Sequence, residues 1–299
     1  MLPALSMSTA ARRIAVQARC LASLSASARV PIIPGATKTA AACIIANEVL
    51  TGKVHDVNTH KLASFCFDNG ISLSRVEIVP DVESDIIRSV QTLSANYDLV
   101  FTSGGIGPTH DDITYQSIAK AFGLKLEHNA EIIKLMEAHY AKRNMQLTEP
   151  IKRMALLPTP AKLLKTDGLW VPLVVVAGNV YILPGVPMLF SKMLDAAQPL
   201  LATAHKFTRR ILYTSLFESQ IANAMTQATI DIPSVSIGSY PRFNDDHVRV
   251  MISFEGSNEA DVLRCVEAIQ AQIQGFDSES ACRAASEARR QAKQKPLSD

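Results

Sequence analysis

Two adjacent carboxylates behind a glycine-rich turn mark where this sequence is equipped for chemistry: Thr102-Ser103-Gly104-Gly105-Ile106-Gly107-Pro108-Thr109-His110-Asp111-Asp112. Gly104, Gly105 and Gly107 let the backbone approach a ligand closely and turn its N–H groups inward. The run that follows reads as a helix, and a helix N-terminus favours phosphate. Asp112 could cap that helix, or with Asp111 it could hold a divalent cation that bridges phosphates. Capping needs one acid, and two acids would repel a bare phosphate, so a metal accounts better for the pair. Ser103 and Thr109 add hydroxyls to the loop. His110 is a candidate acid, base or stacking group, or simply a solvent-exposed loop histidine.

Two further turns have the same strand-to-helix setting. Asn47-Glu48-Val49-Leu50-Thr51-Gly52-Lys53-Val54-His55-Asp56-Val57-Asn58 offers Glu48, Asp56 and Asn58, of which Asp56 or Asn58 could be only a helix N-cap. Leu183-Pro184-Gly185-Val186-Pro187 offers Pro184 and Gly185, with Pro187 suited to a first helical turn. Each is weak alone. Together they would converge beyond the carboxyl ends of neighbouring strands, where open α/β sheets bind ligands. Lys152 and Arg153 could contact phosphate or be a solvated pair. Ser239-Tyr240-Pro241 reads as a turn, with Tyr240 a candidate lid or stacking residue. The sequence has no G-x-S-x-G, Walker lysine, H-E-x-x-H or dinucleotide G-x-G-x-x-G motif, which argues against serine hydrolases, P-loop enzymes, zincins and common dehydrogenases.

The elements that must position these residues alternate. Apolar runs at 41–46, 71–79, 97–102, 171–177 and 180–183 read as strands, the last two joined by a Gly178-Asn179 hairpin turn. Stretches 58–68, 82–95, 113–122, 130–143 and 188–201 have helical spacing. This predicts a three-layer α/β domain over 39–205, a mostly parallel sheet with helices on both faces. From 206 to 277 the texture becomes that of a small α+β domain, and 278–299 reads as a polar, disordered tail.

A hydrophobic share of 47% and a charged share of 19% describe an ordinary globular protein. A net charge of +2 gives no reason to expect nucleic acid or an anionic membrane as partner. No apolar run approaches the roughly 20 residues that span a bilayer. Cys20, Cys43, Cys66, Cys265 and Cys282 form no CxxC pair, which fits reduced thiols rather than a zinc cluster. From Met1 to Asn47 there is no Asp or Glu, while Arg12, Arg13, Arg19 and Arg29 punctuate a Ser- and Ala-rich stretch. That is the composition of a mitochondrial transit peptide, expected over 1–38 with the matrix as destination. The alternative is a leader without a targeting role on a cytoplasmic protein.

Taken together, the Asn47-Glu48…Asp56-Val57-Asn58, Ser103-to-Thr114 and Leu183-to-Pro187 segments resemble the three signatures of the molybdopterin-binding (MoaB/Mog-like) domain family. The Gly-Pro-Thr-x-Asp-Asp-x-Thr form is similar to one branch, which holds the CinA proteins and the N-terminal domain of eukaryotic FAD synthases. The resemblance implies a small-molecule nucleotide or pterin ligand. Its activity would be Mg²⁺- or Co²⁺-dependent cleavage of a nucleotide diphosphate such as FAD or ADP-ribose. It places Asp111 and Asp112 on the metal, Asp56 on ligand or metal, and Gly104, Gly105 and Gly107 around the diphosphate. It also implies a possible homo-oligomer. Molybdopterin binding or adenylylation, or non-catalytic binding of a flavin or pterin nucleotide, are the alternatives. Met188-Leu189-Phe190 after Pro187 departs from CinA, which often has an acid there, and fits the FAD-synthase-like branch better. The chain stops near the end of the small domain, so FAD synthesis itself is not expected.

Residues 1–38 fused to a fluorescent reporter are expected to carry it into mitochondria; a diffuse cytosolic signal would refute import.

Overall fold

The strand β1 (Lys38–Ile45) is made of small and apolar residues because it is covered on both sides. In the computed structural model, which describes residues 32–294, Ala41, Cys43 and Ile45 point into one core. Ala40, Ala42 and Ile44 point into the other. Period-two alternation with both faces apolar is the mark of a buried parallel strand. β1 lies between β2 (Ile71–Val79) and β3 (Leu99–Ser103), parallel to both. The sheet continues through β8 (Val180–Leu183), parallel to β3, then β7 (Leu173–Val176), antiparallel to β8, and β6 (Lys162–Leu164), antiparallel to β7. The β7–β8 hairpin turns at Gly178-Asn179 as expected.

Helices α3 (Glu83–Asn96), α4 (Thr114–Phe122) and α5 (Ala130–Ala141) cover one face, with Ile86, Val90, Leu93, Ile118 and Met136 buried there. Helices α2 (Val57–Asp68) and α7 (Pro187–Leu201) cover the other with Leu62, Phe65, Phe190 and Leu194. The expected three-layer α/β architecture is therefore present. Short pieces with too few residues for a periodic signal were not foreseen. They are α1 (Asn47–Leu50), α6 (Glu149–Lys152), β6, and the antiparallel pair β4 (Lys125–His128) with β5 (Leu156–Thr159).

The second domain is a three-stranded antiparallel sheet of order β10-β11-β9, built from β9 (Thr208–Thr214), β10 (Ser236–Pro241) and β11 (Val250–Gly256). Helices α8 (Glu218–Asp231) and α9 (Glu259–Gln270) pack on it. Two expectations are corrected here. Ser239-Tyr240-Pro241 is not a turn but the end of β10, paired with Ile252, Met251 and Val250. The tail 278–299 is not disordered through its length: Glu279–Gln294 forms α10. Its alanines, glutamates and arginines are good helix formers, and its buried stripe is only Cys282 and Ser286, one turn apart, too narrow to register as apolar periodicity. The leader expected over 1–38 falls outside the described residues as far as residue 31. Among the described residues no helix is long and apolar enough to cross a membrane.

The two domains are tied where the chain passes between them. Thr203 donates its amide and its hydroxyl to Asn69 O, at 3.0 and 3.1 Å, holding the linker to the turn that ends α2. Phe207 packs on Phe67 with ring centroids 5.5 Å apart, and the Arg209 guanidinium lies 4.2 Å over the Phe67 ring.

α10 is fastened to the small domain by Asp245, which accepts from the amides of His247 and Val248 and from Arg283 Nη2 at 2.6 Å. The two amides, and then Arg283, pull its carboxyl down to about 2. A depressed acid contributes stability above its unfolded pKa and loses it as pH falls through the folded value. Asp245→Asn is therefore expected to lower the urea midpoint near neutral pH and to flatten the wild-type fall between about pH 4 and about pH 2. Identical midpoint-versus-pH curves for the two proteins would refute this fastening.

Candidate functional site

The turns after β1, β2, β3 and β8 open on one cavity of about 490 Å³. A single buried side chain holds three of them in register. Asn58, on the first turn of α2, donates from Nδ2 to Ser103 Oγ at 2.9 Å and to Gly185 O at 2.9 Å. The residues it draws together leave no spare room. A Cβ on Gly185 would stand 3.3 Å from Gly104 Cα, and one on Gly104 would stand 2.3 Å from Ile45 O, with φ at +105°. Only glycine tolerates that conformation at that distance. Thr114 then locks the loop to α4, donating its hydroxyl to Gly104 O and its amide to Gly105 O, each at 2.9 Å. The amides of Gly105, Ile106 and Gly107 donate to no acceptor among the described residues, so three N–H groups in the cavity lining remain for a ligand.

Four carboxylates line the same cavity: Glu48, Asp81, Asp111 and Asp112. Asp81 exchanges hydrogen bonds with Asn47, whose amide reaches Asp81 Oδ2 at 3.1 Å while the Asp81 amide reaches Asn47 Oδ1 at 3.4 Å. Burial raises the Asp81 pKa above the usual carboxylate range, against the Asn47 amide, and the charges of Glu48, Asp111 and Asp112 add to the rise. Asp112 Oδ2 accepts the Thr109 amide at 2.8 Å and the Thr109 hydroxyl. That hydroxyl also stands beside Asp111 and, with Asp111's own amide and the His110 charge, holds its carboxyl below the usual range. Acids crowded in this way could be neutralised by a cation. Among the described residues no three His, Cys, Asp or Glu side chains gather closely enough to hold a metal by themselves. A magnesium-like ion needs only one or two carboxylates, completed by water and phosphate oxygens. The Asp111–Asp112 pair beside open amides fits an ion shared with a phosphate and not a closed protein cage.

The structure distributes the sequence candidates unevenly. Glu48, Gly104, Gly105, Gly107, Thr109, Asp111, Asp112, Pro184 and Gly185 line the cavity. Asp56 does not: it is the N-cap of α2, accepting the Thr59 amide at 3.0 Å and the Thr59 hydroxyl. Asn58 and Ser103 lie buried behind the loop as its fastening. His110 faces a neighbouring hollow. Asp112 does not cap α4, whose N-cap is Ile113 with no side-chain bond; it closes the loop on Thr109 instead. Lys152 is paired with Glu149 at 2.7 Å, and Arg153 Nη1 reaches Thr109 O at 3.5 Å. Sequence reasoning missed Asp81, though it follows the end of β2 and the strand-end rule that found the other loops applies to it equally. It also missed Met154, on a single turn of 3-10 helix (Arg153–Ala155), and Trp170, on a loop, which line the cavity from segments that carry no motif. Burial pushes the thiols of Cys43 and Cys66 up to about 11 and about 12, which leaves both inert as nucleophiles.

Asn58→Ala removes both buried bonds, and the expected loss is about 1–3 kcal/mol of unfolding free energy. Asn58→Asp should cost more, since it sets a carboxylate against the Gly185 carbonyl. Denaturant midpoints check this; wild-type stability in both variants would show that the loops need no pin.

A family model described as a probable molybdopterin binding domain matches residues 41–203, and one described as the FAD synthase middle domain matches residues 206–279. A CinA-like protein of Myxococcus xanthus is 28% identical over 254 residues, covering 78% of this chain and 60% of that protein. A probable FAD synthase of Caenorhabditis briggsae is 31% identical over 281 residues, covering 85% of this chain and 53% of that protein. The chain thus spans between about half and three fifths of the length of these relatives. Among solved structures, the CinA protein of Thermoplasma acidophilum, titled as of unknown function, is 28% identical with a TM-score of 0.50, covering 55% of this chain and 98% of that one. With more than half its length matched by the first model, the chain belongs to the molybdopterin-binding domain family.

Proposed function

We propose that this protein hydrolyses the diphosphate of a nucleotide such as FAD or ADP-ribose, with Mg²⁺ or Co²⁺ as cofactor, in the mitochondrial matrix. The observation that carries this reading is one cavity in which four carboxylates stand beside three unengaged loop amides. The names of the FAD synthase relatives and the match to the FAD synthase middle domain support a flavin or adenine dinucleotide as substrate.

Asp111 and Asp112 would hold the ion, which when bound neutralises phosphate charge and lowers the pKa of water. The amides of Gly105, Ile106 and Gly107 stabilise the charge that grows on the phosphate oxygens. Asp81 Oδ1, not engaged by Asn47, takes the proton of the attacking water; a carboxyl raised above its ordinary value by burial is a stronger base than an ordinary one. Water adds at one phosphorus and the bond to the bridging oxygen breaks. FAD would yield FMN and AMP, and ADP-ribose would yield AMP and ribose 5-phosphate.

The family description favours a second reading, in which the cavity holds molybdopterin or its adenylylated form. Incubating the purified protein with FAD or ADP-ribose and each metal, then separating products, tests the first. Asp111→Asn is expected to reduce kcat roughly a hundredfold or more with an unchanged unfolding midpoint, because Asp111 is exposed. No product with any metal would overturn hydrolysis. AMP release that depends on molybdopterin would establish cofactor assembly, and tight binding without turnover a carrier.

A further inference from the structure

The cleft is one of two adjoining hollows that share Pro108. Charge is segregated between them. The cleft is lined by four acids and by no Lys, Arg or His. The second hollow, also about 490 Å³, is lined by His110, His128 and Arg153, with Glu149 as its one acid. Glu149 is already engaged by Lys152 Nζ at 2.7 Å. Among the described residues Arg153 forms no ion pair; its Nη1 reaches the Thr109 carbonyl at 3.5 Å, and the residue is exposed. A guanidinium in this setting is available to an anion. The wall between the hollows is one turn of chain: Arg153 lines the basic side and the next residue, Met154, lines the acidic side.

The acidic cleft also has an apolar wall. Trp170, the only tryptophan of the sequence, lines it with Met154, Val171 and Leu189. Trp170 is backed by His139 and Tyr140 of α5, with ring centroids at 6.3 and 6.5 Å. A large, supported aromatic beside open amides suits a planar ring attached to a phosphate.

We infer that the ligand is a ring-bearing diphosphate laid across Pro108: its aromatic ring rests against Trp170, its proximal phosphate sits at the glycine loop and the acids, and its distal phosphate reaches Arg153. This rests on the diphosphate reading of the same site and adds the direction in which the ligand lies and the residue that selects a diphosphate over a monophosphate.

Calorimetric titration of the full chain with Mg²⁺ tests it, using three probes: AMP, inorganic pyrophosphate and the methylene-bridged analogue of ADP, whose P–C–P link cannot be hydrolysed. The analogue is expected to bind at least tenfold tighter than AMP. Arg153→Ala should remove about that tenfold for the analogue while leaving AMP within twofold, a pattern that a mere folding defect would not give. Tryptophan emission should change with AMP and the analogue but not with pyrophosphate. Equal loss, or no loss, for both nucleotides in Arg153→Ala would overturn the inference, as would an emission change with pyrophosphate alone. If FAD and ADP-ribose are never cleaved but this binding pattern holds, hydrolysis fails and the ligand geometry stands. If cleavage occurs and Arg153→Ala binds like wild type, the geometry fails and hydrolysis stands.

Discussion

One amide side chain ties the walls of the cleft to one another. Asn58 Nδ2 has two hydrogens, and both are spent on groups from other strand ends, Ser103 and Gly185. A loop that leaves a strand is ordinarily the least constrained part of a domain. Here three loops are brought to a common point by bonds made out of water, where a lost partner costs most. The close approach of Gly185 to Gly104 and of Gly104 to Ile45 follows from that convergence, as does the exposure of three loop amides to the cavity instead of to one another.

The electrostatics of the cleft are arranged around this frame. Acids enter from three different strand ends, those of β1, β2 and β3, so no local sequence signal announces their meeting. The cost is borne at Asp81, whose carboxyl is partly withdrawn from water and repelled by three neighbours. Carboxylates gathered into one cavity at such a cost mark it as a candidate binding site. The apolar wall of Trp170 and Met154 supplies the uncharged half of such a ligand's surroundings.

The sheet and its layers were legible because their signals are local. The alternation in Ala40 to Ile45, the helical spacing of Ile86, Val90 and Leu93, and the Gly178-Asn179 turn each act within a few residues. The glycine loop was legible for the same reason. Other features needed the fold. Asp56 and Asn58 look alike in sequence as candidate ligands, yet one caps its own helix and the other reaches across to two loops, a difference set by which way the helix turns. Capping of α4, one of the two roles open to Asp112 in the sequence, is not what it does: it binds backwards to Thr109. Asp81 follows Pro80 at the end of β2, but its turn has no glycine and no second acid to mark it as a ligand loop. The strands β4, β5 and β6 are too short for periodicity, and α10 buries only Cys282 and Ser286 on a polar helix.

Helix α2 joins two of these features end to end. Its first turn carries the Asp56 cap and the Asn58 pin; its last turns carry Phe67, under Arg209, and the Asn69 carbonyl gripped by Thr203. Twelve residues make a rod of about 18 Å. A hydrogen-bonded helix scarcely compresses or bends over that length, so the residue that pins the cleft loops and the turn gripped by the linker belong to one stiff rod. The chain that leaves the first domain is thus anchored on the same helix whose other end holds the walls of the cleft together.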